Sequence, residues 1–397
     1  MTIVPSPLTP RLGTVTRVGF QFDQWKTSAP TRSLNEPNIA ALEREIAAPN
    51  DQVQHQLNSP AAHPARVAPN TLDGAQENTL IQWIQQVKEL FSLPMRPLIV
   101  TSATQILNGD GNGDGNDATI SNAWVDRFIK RLPDDLKPSK VRSVKKKRID
   151  ASDQETLEHW YGRLEAVIAE VSPENIYNFD DTIFQIGEGK KPQMVVTRRD
   201  FAPYETRTYC EWITTIECIS ANGWAADPFT IVQGDYYLDD WFTCEGTPNE
   251  AVFMTNPSGR VDEQAACEWI KFFHRQTKDR TADDQPRLLL FSGQPQYLGF
   301  RFLQFCEQHK IIPFSFPPNI GHLMQPFDGT PFKRYKQYWR SQGIILSMID
   351  DADEEKTAFF NGLPSIRQKS FKSQVITNAF ADRGIVPFDP SKIGQPL

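Results

Sequence analysis

The stretch that decides the fold is IYNFDDTIFQI, residues 176–186, in which apolar, aromatic and β-branched residues surround two adjacent carboxylates. Such a run, short and bounded upstream by the Ser-Pro pair at 172–173, predicts a buried β-strand rather than a helix. Asp180 and Asp181 stand in its middle. Taken alone, they could be the aspartates of any strand, so their role has to be inferred from other segments of the chain.

Downstream of this strand, strand-like and helix-like patterns follow one another. Strands are predicted at 209–220, 229–233, 288–291 and 311–316, and helices at 263–276 and 298–308. Strands that come first, followed by alternating helices and strands, indicate a mixed α/β (α+β) domain, which we place at 175–345. A helical C-terminal tail is expected at 346–397.

Upstream, three short helices are predicted within 71–133. Asp73 and Gln76 form a capping pair for the first, Pro97 opens the second, and Ser121 opens the third. A basic last helix in such a set is typical of a helix-turn-helix module, whose last helix enters the DNA major groove. Residues 134–174 are expected to form a basic arm and a docking helix, and residues 1–70 a flexible region.

The charge of the chain is unevenly distributed. Net charge is −7, but the 25 residues from Trp124 to Arg148 carry ten basic and three acidic side chains, which makes this window +7 and the remainder −14. A local basic run can bind the phosphates of DNA, act as a nuclear import signal, or be a solvated linker. The candidate DNA-binding residues are Arg127, Lys130, Arg131, Lys140, Arg142, Lys145, Lys146, Lys147 and Arg148.

Composition excludes several classes of protein. The chain has 397 residues, of which 39% are hydrophobic, and this is enough to build a large core. No run approaches 18 consecutive apolar residues, so no membrane span is expected. The N-terminus lacks the apolar segment of a secretory signal, and the five cysteines form no CxxC pair, so we expect an intracellular protein without a disulfide framework or zinc site.

Three segments of the α/β region together resemble the DDE domains of pogo-type transposases in the mariner superfamily, whose motifs read YNxDExGF, LLxDGHxSH and PPHxTHxLQPLD. The corresponding segments here are YNFDD at 177–181, LLFSG at 289–293 and PPNIGHLMQPFD at 317–328. The likeness continues through 212–223, 269–273 and 384–388. The helical module, with WVDRFIKR at 124–131, is similar to the centromere-protein-B-type helix-turn-helix of the same elements.

The resemblance implies an RNase H-like mixed sheet and a DDE endonuclease site. In such a site three carboxylates hold two Mg²⁺ (or Mn²⁺) ions that drive in-line phosphoryl transfer on DNA. On this mapping Asp180 is the first carboxylate and Asp328 the third, and these two would be the metal ligands.

The second carboxylate is missing, because its position is Ser292. The motif also departs from the family at Asp181, where Glu is usual, at Gln294, where His is usual, and at Asn319, which replaces another His. Mg²⁺ sites typically depend on a few charged oxygen ligands, so the loss of one is expected to disable the site.

The expected function is that of a transposase-derived nuclear DNA-binding protein, apparently degenerate in its DDE domain, with double-stranded DNA as partner, a possible homodimer and no membrane association. Mg²⁺ or Mn²⁺ would be its cofactor only if the site works. Two alternatives stay open. One is an active metal-dependent DDE endonuclease, and the other is a nuclear protein-interaction scaffold.

Overall fold

The computed structural model describes residues 71–90, 94–109, 118–137, 151–187, 210–238, 241, 252–280, 285–318, 320–346 and 351–392. The expected flexible region at 1–70 therefore lies outside the described residues. No helix in the described ranges is both long and apolar enough to cross a bilayer.

Three helices form the N-terminal module: α1 (Gly74–Glu89), α2 (Arg96–Asn108) and α3 (Asn122–Arg131). The predicted capping pair is present, because the Asp73 carboxylate accepts the Gln76 N–H at 2.8 Å and the Gln76 side chain accepts the Asp73 N–H at 3.0 Å. The Ser121 hydroxyl accepts the Trp124 N–H at 3.2 Å and so fixes the start of α3.

The following domain contains a six-stranded sheet with the strand order β4-β3-β2-β1-β5-β6. The strands are β1 (Ile176–Gly187), β2 (Cys210–Ser220), β3 (Phe229–Gln233), β4 (Val252–Asn256), β5 (Arg287–Ser292) and β6 (Ile311–Phe316). Strands β1, β2 and β3 pair antiparallel, whereas β5 pairs parallel with β1 and β6 parallel with β5. The mixed RNase H-like sheet predicted from the sequence is thus confirmed.

Helices cover both faces of this sheet. They are α4 (Ala151–Ile168), α5 (Glu263–Lys278), α6 (Phe300–Gln308), α7 (Thr330–Leu346), α8 (Ala352–Ser370) and α9 (Ser373–Asp382). Alternate residues of a strand point to opposite faces, which separates the packing into two hydrophobic clusters. Helices α5 and α6 pack on one face, and helices α4, α7, α8 and α9 on the other. The segment expected as a helical tail is therefore packed against the sheet.

The apolar residues of α1, α2 and α3 belong to the same cluster as the α5–α6 face of the sheet. The Trp83 indole N–H donates to the Leu298 carbonyl at 2.9 Å within this cluster, and the Phe300 N–H donates to the Ser102 hydroxyl at 3.3 Å. Helix α4, expected to dock the module, lies on the other face, where the Trp160 indole donates to the Ser315 carbonyl at 2.8 Å. Helices α1 and α2 therefore contact the sheet domain directly.

Candidate active site and nucleic-acid interface

The sheet brings Asp180 and Ser292 together. Parallel pairing of β1 with β5 extends from Ile176–Leu288 to Asn178–Leu290, and Asp180 and Ser292 each follow two residues later on these neighbouring strands. Because alternate residues share a face, both side chains lie on the face that α7 and α8 cover. Ser292, at the motif position of the second carboxylate, thus lies on the same face as Asp180 and carries a hydroxyl.

Asp328 reaches the same place from the loop between β6 and α7. The Asn178 amide of β1 donates to the Leu290 carbonyl at 3.0 Å and accepts the Phe327 N–H at 3.2 Å, so it ties this loop to the two central strands. Asp328 follows directly, and α7 begins at Thr330. Gln325 of the same loop is buried and hydrogen-bonds Asp180.

The electrostatic environment of Asp180 disfavours its charged form. Burial raises the pKa of Asp180 well above its usual range, and the neighbouring carboxylates of Asp181 and Asp328 raise it further. The hydrogen bond from Gln325 only partly opposes this. Because the charge of Asp328 raises the pKa of Asp180, the two carboxylates predicted from the motifs are close together.

Asp328 has cations around it. Partial burial raises its pKa, and the charges of Arg383, Lys336 and His322 oppose that shift. Asp328 thus interacts with Arg383, Lys336 and His322, and Asp180 interacts with two further carboxylates, Asp181 and Asp328.

Asp181 points to the opposite face of β1 from Asp180, as successive strand residues do. There it accepts a hydrogen bond from the buried Tyr297 hydroxyl at 3.2 Å. Burial raises the pKa of Asp181, with this hydrogen bond and the Lys336 charge acting the other way. Tyr297 occupies the position of a His in the family motif, so the change from the motif has produced a tyrosine–aspartate contact.

These residues do not fit a two-metal site. A hard dication is held by several charged oxygen ligands at close to 2 Å. Asp180 and Asp328 supply two carboxylates, while Ser292 and Gln325 supply neutral oxygens. Across the residues that the structure describes, no group of three His, Cys, Asp or Glu side chains is arranged to hold a metal ion.

One buried carboxylate near the site was missed by the sequence reasoning. Glu217 of β2 pairs directly across the sheet with Asp180 and is 1% exposed. Arg367 of α8 binds both of its oxygens, with an Nη2–Oε2 distance of 2.9 Å, and the Tyr335 hydroxyl donates to Oε1 at 2.9 Å. A lone glutamate inside the apolar run TTIECIS was the signal that a buried partner would be needed.

The predicted DNA-contacting face of α3 is accessible. Arg127 and Lys130 are exposed, while Trp124, Val125 and Phe128 are buried, as the helical spacing predicted. Arg131 forms an ion pair with Glu77 at 2.6 Å. The remaining candidates lie outside the described residues: Lys140, Arg142, Lys145, Lys146, Lys147 and Arg148.

Comparisons with known proteins match both parts of the chain. The DDE superfamily endonuclease family matches residues 210–380, and the Tc5 transposase DNA-binding domain family matches residues 74–140. Among curated proteins, the MFS-type transporter clz9 of Cochliobolus lunatus is 29% identical over 227 residues, which cover 56% of this chain and 24% of that protein. The chain thus spans about a quarter of the length of this relative.

Solved structures of the mariner transposase Mos1 are distantly similar. The Mos1 strand transfer complex shares 10% identity at a TM-score of 0.39, over 85% of this chain and 82% of that one. The Mos1 catalytic domain with Raltegravir and Mg shares 10% identity at a TM-score of 0.37, over 63% of this chain and 100% of that one.

The two family matches follow the order of the two structural parts, a helical DNA-binding domain and then the domain with the mixed sheet. The DDE match includes the segments around Ser292 and Asp328, whose motifs resemble those of pogo-type elements. The two matches support a transposase-derived chain, in which a region similar to the Tc5 transposase DNA-binding domain, at 74–140, precedes a region similar to the DDE superfamily endonuclease domain, at 210–380.

Proposed function

We propose that this chain is a DNA-binding protein whose DDE domain no longer cleaves DNA. The observation that carries the proposal is Ser292, which stands beside Asp180 where the catalytic motif needs a carboxylate. A hydroxyl cannot supply the negative charge that a Mg²⁺ or Mn²⁺ ion requires from its ligands. The fold and the DNA-binding domain remain, and the metal-dependent chemistry is lost.

The first experiment tests cleavage. The full chain is incubated with supercoiled plasmid DNA and either Mg²⁺ or Mn²⁺, beside an Asp328→Ala variant prepared in the same way. We expect no nicking above that of the variant. Metal-dependent nicking by the unchanged protein that disappears in Asp328→Ala would establish the alternative, an active DDE endonuclease.

The second experiment tests DNA binding by the full chain across a salt series. Each phosphate contact that is lost lowers the slope of log K against log salt by about 0.9. Changing both Arg127 and Lys130 to Gln removes two exposed cations from α3, so we expect a slope smaller by about 1.8. Failure of the unchanged chain to bind duplex DNA at low salt would favour the third reading, a protein-interaction scaffold.

We also propose a nuclear location, from the basic run Lys145 to Arg148. A fluorescent fusion of the full chain should accumulate in nuclei, and replacement of these four residues by Ala should disperse it. Equal distribution of both fusions would contradict the assignment.

A homodimer is the assembly we propose, and the mass of the purified chain in light scattering tests it.

A further inference from the structure

Helix α7 carries an unusual charge. Its sequence, TPFKRYKQYWRSQGIIL at 330–346, contains four basic residues and no acidic one, in a chain whose net charge is −7. The basic residues are Lys333, Arg334, Lys336 and Arg340. The helix therefore concentrates positive charge in the part of the chain that, outside residues 124–148, has a net charge of −14.

The charge lies on the outer face of the helix. Lys333, Lys336 and Arg340 follow an i, i+3, i+7 spacing, which places them on one face, and all three are exposed. The other face packs inward through Phe332 and Tyr335, which belong to the hydrophobic core. At 1.5 Å per residue, Lys333 and Arg340 are separated by roughly 10 Å along the helix axis.

The charge of Lys336 acts on the nearby carboxylates of Asp328 and Asp181. None of the ion pairs found between described residues involves Lys333, Lys336 or Arg340. Lys336 lies over the Phe332 ring, with its Nζ 5.7 Å from the ring centroid. A stripe of exposed cations of this length is complementary to a strand of phosphates, which repeat every 3.4 Å along each strand of duplex DNA.

The stripe begins at the candidate active site. Helix α7 starts two residues after Asp328, and the charge of Lys336 acts on the carboxylates of both Asp328 and Asp181. A nucleic-acid backbone that crosses the site next to Asp328 would therefore contact the cations of α7. The carboxylates alone would repel it.

We propose that the exposed face of α7, formed by Lys333, Lys336 and Arg340, binds the phosphate backbone of duplex DNA and gives the degenerate DDE domain its own contact to DNA. This inference rests on the proposed DNA-binding function and adds to it a second surface, distinct from α3. The chain holds DNA at two places, although it does not cleave it.

The test compares three double variants of the full chain in binding to one duplex of mixed sequence across a salt series. Lys333→Gln with Arg340→Gln probes α7, and Lys336 stays unchanged because it acts on the site carboxylates. Arg127→Gln with Lys130→Gln probes α3. Lys278→Gln with Lys372→Gln is the charge-matched control, because both lysines are exposed. Their neighbours Thr277 and Ser373 contact Arg287 at the start of β5 and Gly223 just beyond β2, which is the opposite end of the central strands from Ser292.

The expected result for the α7 variant is a salt slope smaller by about 1.8 and an affinity near 0.1 M salt lower on the order of 60-fold. The control should keep the slope of the unchanged chain. If the α7 variant matches the control while the α3 variant loses affinity, the inference is wrong and the proposed function stands. If the unchanged chain does not bind DNA at low salt, both are wrong, and the stripe is then a surface for an acidic protein.

A second measurement needs no variant and guards against a folding defect. Lysine acetylation of the unchanged chain, read by mass spectrometry with and without the duplex, reports which amines DNA covers. Protection of Lys333 and Lys336 together with unchanged labelling of Lys278 and Lys372 is expected. Equal labelling of all four with and without DNA would overturn the inference.

Discussion

Asp180 and Glu217 face each other across the β1–β2 register, yet only Glu217 has a cation bound to it. Arg367 binds both oxygens of Glu217, whereas Asp180 is neighboured by the carboxylates of Asp181 and Asp328. One carboxylate of this pair thus belongs to a compensated buried network, and the other is held in an unfavourable environment. The stability of the fold depends on the first, and the chemistry of the family would depend on the second.

Replacing Arg367 by Met should destabilise the chain by about 3–5 kcal/mol, because the buried Glu217 carboxylate would lose its partner. The double variant Arg367→Met/Glu217→Gln should recover a large part of that loss, since no uncompensated charge remains. Urea unfolding of the single and double variants gives the coupling free energy. Additive single effects would show that the pair is not coupled.

Placing a carboxylate at Ser292 should restore the capacity to bind a divalent cation. Without metal, Ser292→Asp adds a negative charge beside Asp180. The melting temperature of this variant should therefore be lower than that of the unchanged chain at neutral pH. With Mg²⁺ at about 100 times its Kd, binding contributes about 2.7 kcal/mol of stability. Ser292→Asn, similar in size and neutral, should show no response to Mg²⁺, and the same response in Asp and Asn variants would refute the idea.

Asp180→Asn should stabilise the chain increasingly as pH rises. The pKa of Asp180 is raised in the folded state, so its contribution to stability is fully present below its unfolded value, near 3.8, and is lost as pH rises through the folded pKa. A tenfold change in the proton affinity of a carboxyl corresponds to about 1.36 kcal/mol. Urea unfolding of the unchanged chain and of Asp180→Asn between pH 4 and pH 8 measures the difference, and a difference that does not grow with pH would contradict the prediction.

Trp83→Phe should destabilise the chain by roughly 1–3 kcal/mol, because the Leu298 carbonyl would lose its buried donor. Trp339→Phe is the matched control, since its partly buried indole N–H finds no acceptor among the described residues. Chemical unfolding of both variants decides the matter. If both variants lose the same free energy of unfolding, the loss comes from the smaller ring and not from the hydrogen bond that joins α1 to the sheet domain.

Much of the fold could be predicted from local patterns. The strands at 176–187 and 311–316 agree with the structure to within a residue, because apolar runs bounded by turn residues identify buried strands. The caps at Asp73 and Ser121 were equally local. Strand β4 was not predicted, since its five residues carry no pattern that separates a short strand from a loop.

The site was predictable only in part. Motif order identified Asp180, Ser292 and Asp328, but the contacts of Glu217 with Arg367 and of Asp181 with Tyr297 join residues more than 100 positions apart. Such contacts depend on strand pairing and on the packing of α8, and neither produces a local sequence pattern. The role of Gln325 was within reach, because it lies in the quoted motif three residues before Asp328.

The hydrophobic cluster shared by α1, α2, α3 and one face of the sheet has an evolutionary consequence. Mutations that damage the packing of the DDE domain also damage the Tc5-type domain, so selection acting on the Tc5-type domain alone would preserve the whole scaffold. Ser292 lies on the opposite face and contributes nothing to that shared core. A lineage that keeps the protein for its DNA contacts can therefore lose its enzyme while inheriting the enzyme's architecture intact.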